Sequence, residues 1–143
     1  IGKDCDKVMN WSKKNFLEFV KRRNNDGVLV TVPTKNPGFS YVELHDDMST
    51  VLRAKEKEVV SSFGNTGCYY FNKTSEFEHY TNLMINKNIR VKNEFYVSQV
   101  YNEYILDNKK ILHYPIVEIF SINTPEELLN NKQTIVKFLS NKK

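Results

Sequence analysis

The chain has 143 residues, 40% of them apolar and 27% charged, with a formal net charge of +4. That length suits one domain able to bury roughly two-thirds of its unfolded surface, and the composition excludes a disordered polymer. Basic residues cluster only in Lys21-Arg22-Arg23 and Lys142-Lys143, which with no base-stacking motif or long basic stripe argues against nucleic-acid binding.

The elements follow in chain order. Trp11 leads into apolar residues at Phe16, Leu17 and Val20, a helical period with Ser12 as cap. Asp26-Gly27 turns the chain into Val28–Val32, a continuous β-branched run that reads as a buried strand. Pro33 and Asn36-Pro37-Gly38 mark a loop. Strands are predicted at Ser40–Leu44 and Thr50–Lys55, joined by a polar turn at Asp46-Asp47, and again at Thr66–Asn72. The patterns Thr74–Asn86 and Tyr96–Leu106 predict helices. Lys110–Ile119 predicts one long strand, with Pro115 marking an edge or bulge. Thr124-Pro125-Glu126-Glu127 has the capping residue, proline and glutamate of a helix start, and Thr134–Leu139 predicts a last helix. No repeat or linker interrupts the order, so an α/β or α+β single domain spanning 1–143 with a mixed sheet is expected.

Cys5 and Cys68 stand far apart and read by default as buried thiols of a reducing cytosol, with a bridge between them the open alternative. His45, His79 and His113 offer no zinc spacing. No apolar run approaches bilayer length and no signal peptide is evident, so a cytoplasmic chain without membrane insertion is expected. The chain opens with Ile1 rather than methionine, which reads as a chain cut from something longer.

Three short blocks carry the chemistry: Ala54-Lys55-Glu56-Lys57, Asn65-Thr66-Gly67-Cys68-Tyr69-Tyr70-Phe71 and Asn93-Glu94-Phe95-Tyr96-Val97-Ser98. A carboxylate such as Glu56 can read sugar hydroxyls, and the adjacent Lys57 ammonium can hold a phosphate as a point charge. Gly67 at a strand entrance lets the backbone approach a ligand closely. Together the blocks suggest a pocket for a small phosphorylated polyol. Asp4-Cys5-Asp6 adds carboxylates suited to magnesium, although such a triplet also arises as a simple polar turn. Singly, each block has a plain structural explanation: a surface ion pair at Glu56-Lys57, a strand entry at Thr66-Gly67, a first-turn acid at Glu94.

In order and spacing, the pieces from Asp4 to about Leu129 resemble the sugar-1-phosphate nucleotidyltransferases, particularly the surface- and capsular-polysaccharide branch. The carrying pieces are Asp4-Cys-Asp6-Lys-Val-Met-Asn-Trp11, Asp26-Gly-Val-Leu-Val-Thr31, Ser40-Tyr-Val-Glu-Leu44, Glu56-Lys57, Thr66-Gly-Cys-Tyr-Tyr-Phe71, Asn93-Glu-Phe-Tyr-Val97 and Thr124-Pro-Glu-Glu-Leu128. The resemblance implies a Rossmann-like mixed sheet flanked by helices. It implies a reaction in which a sugar 1-phosphate oxygen attacks the α-phosphate of a nucleoside triphosphate and expels pyrophosphate. By the same resemblance Asp6 would hold magnesium and act with Lys57 in catalysis. Glu56, Lys57, Thr66, Gly67 and Glu94 would bind the sugar phosphate, and a homo-oligomer is compatible with it.

Two departures qualify what the resemblance implies. The Gly-rich loop and following Lys-Pro element that hold the triphosphate in the family have no counterpart among the five glycines, at positions 2, 27, 38, 64 and 67. An aspartate and a glycine of the family's last segment are replaced within Ser121-Ile-Asn123-Thr124. The chain therefore reads as the C-terminal, sugar-binding part of such an enzyme, lacking the N-terminal nucleotide-binding segment and inactive on its own. Two other readings stay open: a glycosyltransferase whose Asp-x-Asp holds the metal of a nucleotide sugar, and a non-catalytic interaction module.

Overall fold

The computed structural model describes residues 7–121, with side chains for 11–117. Asp4, Cys5 and Asp6, and the helix starts expected at Thr124–Glu127 and Thr134–Leu139, lie outside the described residues.

Five strands form the main sheet, β2 (Gly27–Pro33), β3 (Ser40–Leu44), β4 (Val51–Glu56), β5 (Phe63–Phe71) and β6 (Ile111–Pro115), in the order β4-β3-β5-β2-β6. β2 runs parallel to β6, and the other neighbours are antiparallel. This is the mixed sheet expected from sequence, with the Val28–Val32 run inside it and hydrogen-bonded on both edges. β1 (Lys7–Asn10) pairs antiparallel with β7 (Glu118–Ser121) in a separate two-stranded sheet.

The period-2 pleat of β2 divides the core. Val28, Val30 and Val32 turn to one face, where they meet Phe16 of α1 (Lys13–Arg22), Cys68 and Leu112. Leu29 turns to the other, under α2 (Thr74–Asn86) and α3 (Val97–Leu106). Ser12 caps α1 as the sequence suggests, its hydroxyl accepting from the Asn15 N–H at 3.2 Å. Because both faces are covered, β2 needs no polar alternation, which is why Val28–Val32 reads as apolar apart from the buried Thr31.

Buried hydrogen bonds fix α3 on the sheet. Tyr101, fully buried, points its hydroxyl at the carbonyls of Val28 and Tyr70, at 3.1 and 3.0 Å. Gly27 leaves room for that ring, since a Cβ there would lie 3.0 Å from Tyr101 Cε1. Asn102 closes the edge strand β4: its Oδ1 accepts from the Ala54 N–H at 2.8 Å and its Nδ2 donates to the Ala54 carbonyl at 2.9 Å. A side-chain amide thus takes the place of a neighbouring strand.

The expected long strand over Lys110–Ile119 is instead two. β6 ends at Pro115, which has no N–H for a ladder, and the next N–H, from Ile116, bonds back to the Thr31 carbonyl at 2.7 Å. The strand expected from Thr66 begins earlier, at Phe63. β1 carries no periodic signal in its four residues and was not anticipated.

The β3–β4 hairpin reaches across to β6. Thr50 bridges Leu112, the His113 N–H bonds to the Ser49 carbonyl at 3.2 Å, and Arg23, the residue that caps the end of α1, donates to Ser49 Oγ at 3.0 Å. The hairpin is thereby fastened at its tip while its other end carries Glu56 and Lys57.

Candidate functional site

Where β4 ends, the strand meets β3, β5 and the start of α3, and between them lies a cleft of about 290 Å³. Its walls include Ser40, Glu56, Lys57, Asn65, Gly67 and Tyr96. Other hollows among the described residues include one of about 300 Å³ between β4 and α3 and one of about 510 Å³ at the end of α1. The larger is more open and lined by Lys21, Arg22 and Arg23, and Arg23 is already engaged with Ser49. Only the cleft combines a buried carboxylate, an ammonium and a buried amide.

Glu56 has a side chain only 7% exposed. Burying a carboxylate is costly unless hydrogen bonds and an opposite charge accompany it. Both are present: Ser98 Oγ donates to Oε2 at 2.8 Å, and Lys57 Nζ stands 3.7 Å from Oε1. The pairing of Glu56 with Ser40 across β3 and β4 sets which face the carboxylate occupies.

In a regular strand Glu56 and Lys57 would point to opposite faces. Lys57 has φ 58°, a left-handed backbone that costs a non-glycine residue about 1 kcal/mol, and the bend brings both side chains to the same cleft. The Lys57 ammonium donates to the Gly38 carbonyl at 2.8 Å and lies 5.9 Å from the Tyr96 ring centroid. An ammonium has three N–H donors, so this arrangement leaves it capacity for an anion.

Gly67 sits in a bulge. Between Leu29 and Thr31 the ladder advances two residues on β2 but four on β5, from Tyr69 to Asn65. Gly67 absorbs the distortion at φ 89°, where a side chain would be strained. Thr66 repairs the ladder: its hydroxyl donates to the Val30 carbonyl at 2.9 Å and accepts from the Cys68 N–H at 3.2 Å. Thr66 is fully buried and does not line the cleft. Adjacent strand residues alternate faces, so Thr66 and Gly67 are parted by the pleat.

Glu94 is also outside the lining. It belongs to a tight turn in which Val91 and Glu94 exchange backbone bonds, three residues before α3, and the first turn of α3 holds no acid. Its carboxylate acts on the Tyr96 hydroxyl, and Tyr96 does line the cleft. Partial burial first, then the Glu94 carboxylate, pushes the Tyr96 hydroxyl above the ordinary phenol value. Of the five expected sugar-phosphate residues, Glu56, Lys57 and Gly67 share the cleft, Glu94 is linked to it through Tyr96, and Thr66 supports the bulge.

Ser40, Asn65, Tyr96 and Ser98 were not anticipated as site residues. Asn65 was legible in principle, two positions before Gly67 and so on its face of the strand. Ser40 and Ser98 depend on register and helix docking, which no local pattern carries. The start of α3 completes the cleft through Val97: the cap residue Tyr96 makes no side-chain capping bond, so the positive end of the helix is left for a ligand's charge. Asp6, the expected magnesium ligand, lies outside the described residues. Among the described residues no group of three or more His, Cys, Asp or Glu is placed to hold a metal.

No protein-family model matches the chain, and no curated protein matches its sequence. Solved structures do match its fold. A nucleoside-diphosphate-sugar pyrophosphorylase from Vibrio cholerae superposes with TM-score 0.74 at 21% identity, over 87% of this chain and 52% of that one. A glucose-1-phosphate thymidylyltransferase from Bacillus anthracis gives TM-score 0.67 at 14% identity, over 90% and 51%. The inositol-1-phosphate CTP transferase of T. maritima gives 0.62 at 9%, over 94% and 52%. The chain spans about half the length of each of these neighbours, and over that half it has their α/β fold, a mixed five-stranded sheet flanked by helices.

Proposed function

We propose that this chain provides the sugar-phosphate side of a nucleotidyltransferase that joins a nucleoside monophosphate to a sugar 1-phosphate in nucleotide-sugar synthesis for surface polysaccharide. The observation that carries the reading is the cleft itself: a buried Glu56 carboxylate, the Lys57 ammonium and the Gly67 bulge converge within about 290 Å³. The fold shared with three nucleotidyltransferases supports it.

In this reading Glu56 accepts hydrogen bonds from sugar hydroxyls while Ser98 holds its other oxygen. Lys57 and the start of α3 hold the phosphate, and Gly67 lets the sugar ring lie close to β5. Transfer then consists of presenting a phosphate oxygen in line with the α-phosphorus of the triphosphate, which depends on positioning and charge neutralisation. Magnesium belongs to the proposal through Asp6, whose carboxylate suits a hard cation; bound, it would neutralise charge on the triphosphate.

Lys57→Ala tests the assignment. Losing a charge-assisted hydrogen bond costs about 1.5–3 kcal/mol, so sugar 1-phosphate affinity should fall about tenfold to a hundredfold by calorimetry. Binding of the free sugar should change little. Equal loss for both ligands, or none, contradicts the role given to Lys57.

A further inference from the structure

The polar floor of the cleft carries more information than the Glu56–Lys57 pair. Ser40 and Glu56 face each other across β3 and β4, and each has one hydrogen-bonding site already taken. Ser98 occupies Glu56 Oε2, and Asn65 Nδ2 donates to Ser40 Oγ at 2.6 Å. Asn65 is 4% exposed, and its other amide end, Oδ1, is buried with no protein partner. A buried unpartnered amide is unfavourable and uncommon, and it calls for a partner that a ligand can supply. Asn65 lines the cleft, and the soft terminal torsion of asparagine lets its buried amide rotate to meet a ligand.

Resting on the function proposed above, we infer that Ser40 and Asn65 act with Glu56 to read two neighbouring, unmodified hydroxyls on the sugar ring, so that the site selects a vicinal diol and rejects deoxy sugars. The remaining valences fit that pattern. Glu56 Oε1 is an acceptor and the Ser40 proton is a donor, and Asn65 adds an acceptor through Oδ1 once its amide rotates toward the cleft. A hydroxyl both donates and accepts, so a pair of them satisfies all three groups. A C–H in place of one hydroxyl leaves a buried polar group unanswered. Discrimination of that kind comes from the site's own unpaired groups rather than from bulk.

Calorimetric titration of this chain with glucose, galactose and mannose 1-phosphates, and with singly deoxygenated forms of the tightest binder, tests the inference. Two adjacent ring positions should each cost about tenfold when deoxygenated. Ser40→Ala and Asn65→Ala should weaken the parent sugar to the level of one deoxy analogue and abolish that step. Ser40→Thr, which keeps the hydroxyl, should restore it. The parent-to-deoxy ratio is not moved by a merely structural role, and if Ser40→Ala fails to fold, the deoxy series on the unaltered chain and on Asn65→Ala still decides. Parent binding with all deoxy forms within about twofold, or with ratios unchanged in the variants, overturns the inference and leaves the proposed function standing. No binding of any sugar 1-phosphate overturns the proposed function and the inference with it.

Discussion

Lys57 holds a conformation that its own chemistry disfavours. At φ 58° a left-handed backbone is unfavourable for lysine and neutral for glycine, yet that geometry delivers the ammonium to the cleft beside Glu56. Lys57→Gly should therefore leave stability unchanged or raise it by up to about 1 kcal/mol in urea denaturation, while sugar 1-phosphate binding falls at least tenfold. A large loss of stability would show that the bond to the Gly38 carbonyl outweighs the backbone strain. Gly67 presents the reverse case: at φ 89°, Gly67→Ala should destabilise by about 1–2 kcal/mol and impair binding together. His113 is a third informative residue. Its Nε2 faces the Met48 carbonyl at 3.0 Å and its Nδ1 the Thr31 hydroxyl at 3.0 Å, so the ring is held neutral, with Nε2 donating and Nδ1 accepting. Burial lowers its pKa below 6.5, more than the Met48 bond and the Asp47 charge raise it. The stability it supplies is fully present above pH 6.5. It falls away as the pH drops from there through the depressed value, because the unfolded chain takes up the proton first. Asp47 follows the same sign lower down: its carboxylate, held by the Thr50 hydroxyl and the N–H groups of Thr50 and Ser49, loses its contribution below 3.8. Replacing His113 by Gln should flatten the upper of these two steps in melting temperature against pH and leave the lower.

At the scale of elements, what was legible divides along a clear physical line. β3 and α2 have the bounds expected from sequence, Ser40–Leu44 and Thr74–Asn86, since periodicity and flanking turn residues are local signals. The break after β6 is signalled locally by Pro115, but the β5 bulge and the short β1 are not local: each is decided by what lies opposite in the sheet. The same holds for the site, where Glu56-Lys57 and Gly67 could be picked out but their partners across the register could not. One element carries its own test. The free edge of β4 is closed by Asn102, whose amide meets both backbone groups of Ala54, with Gln99 adding a bond to the same carbonyl at 3.2 Å. Asn102→Leu should cost about 2 kcal/mol by leaving the buried Ala54 N–H unpaired, and should raise self-association through the exposed edge. Light scattering with no shift in the variant would mean the edge is protected by something other than this amide.

For the molecule as a whole, the two halves of the core put α1 on one face of the sheet and α2 and α3 on the other, and the cleft opens where α3 begins above the end of β4. The chain covers about half of each solved neighbour; in the function proposed above, sugar phosphate and nucleoside triphosphate meet different segments. No cradle of convergent N–H groups for a triphosphate is evident in the five glycines of the sequence. The 143-residue chain, given magnesium, the common nucleoside triphosphates and a panel of sugar 1-phosphates, should accordingly release no pyrophosphate above background. Clear turnover would mean that another segment performs that task. The claim on which everything else depends is simpler, that the cleft binds a sugar phosphate. A titration of the ¹⁵N-labelled chain with sugar 1-phosphates, followed by amide chemical shifts, measures it directly. The account predicts saturable shifts gathered at Gly38, Glu56-Lys57, Gly67 and Val97-Ser98; shifts gathered instead at Lys21–Asn25, or none at all, would contradict it.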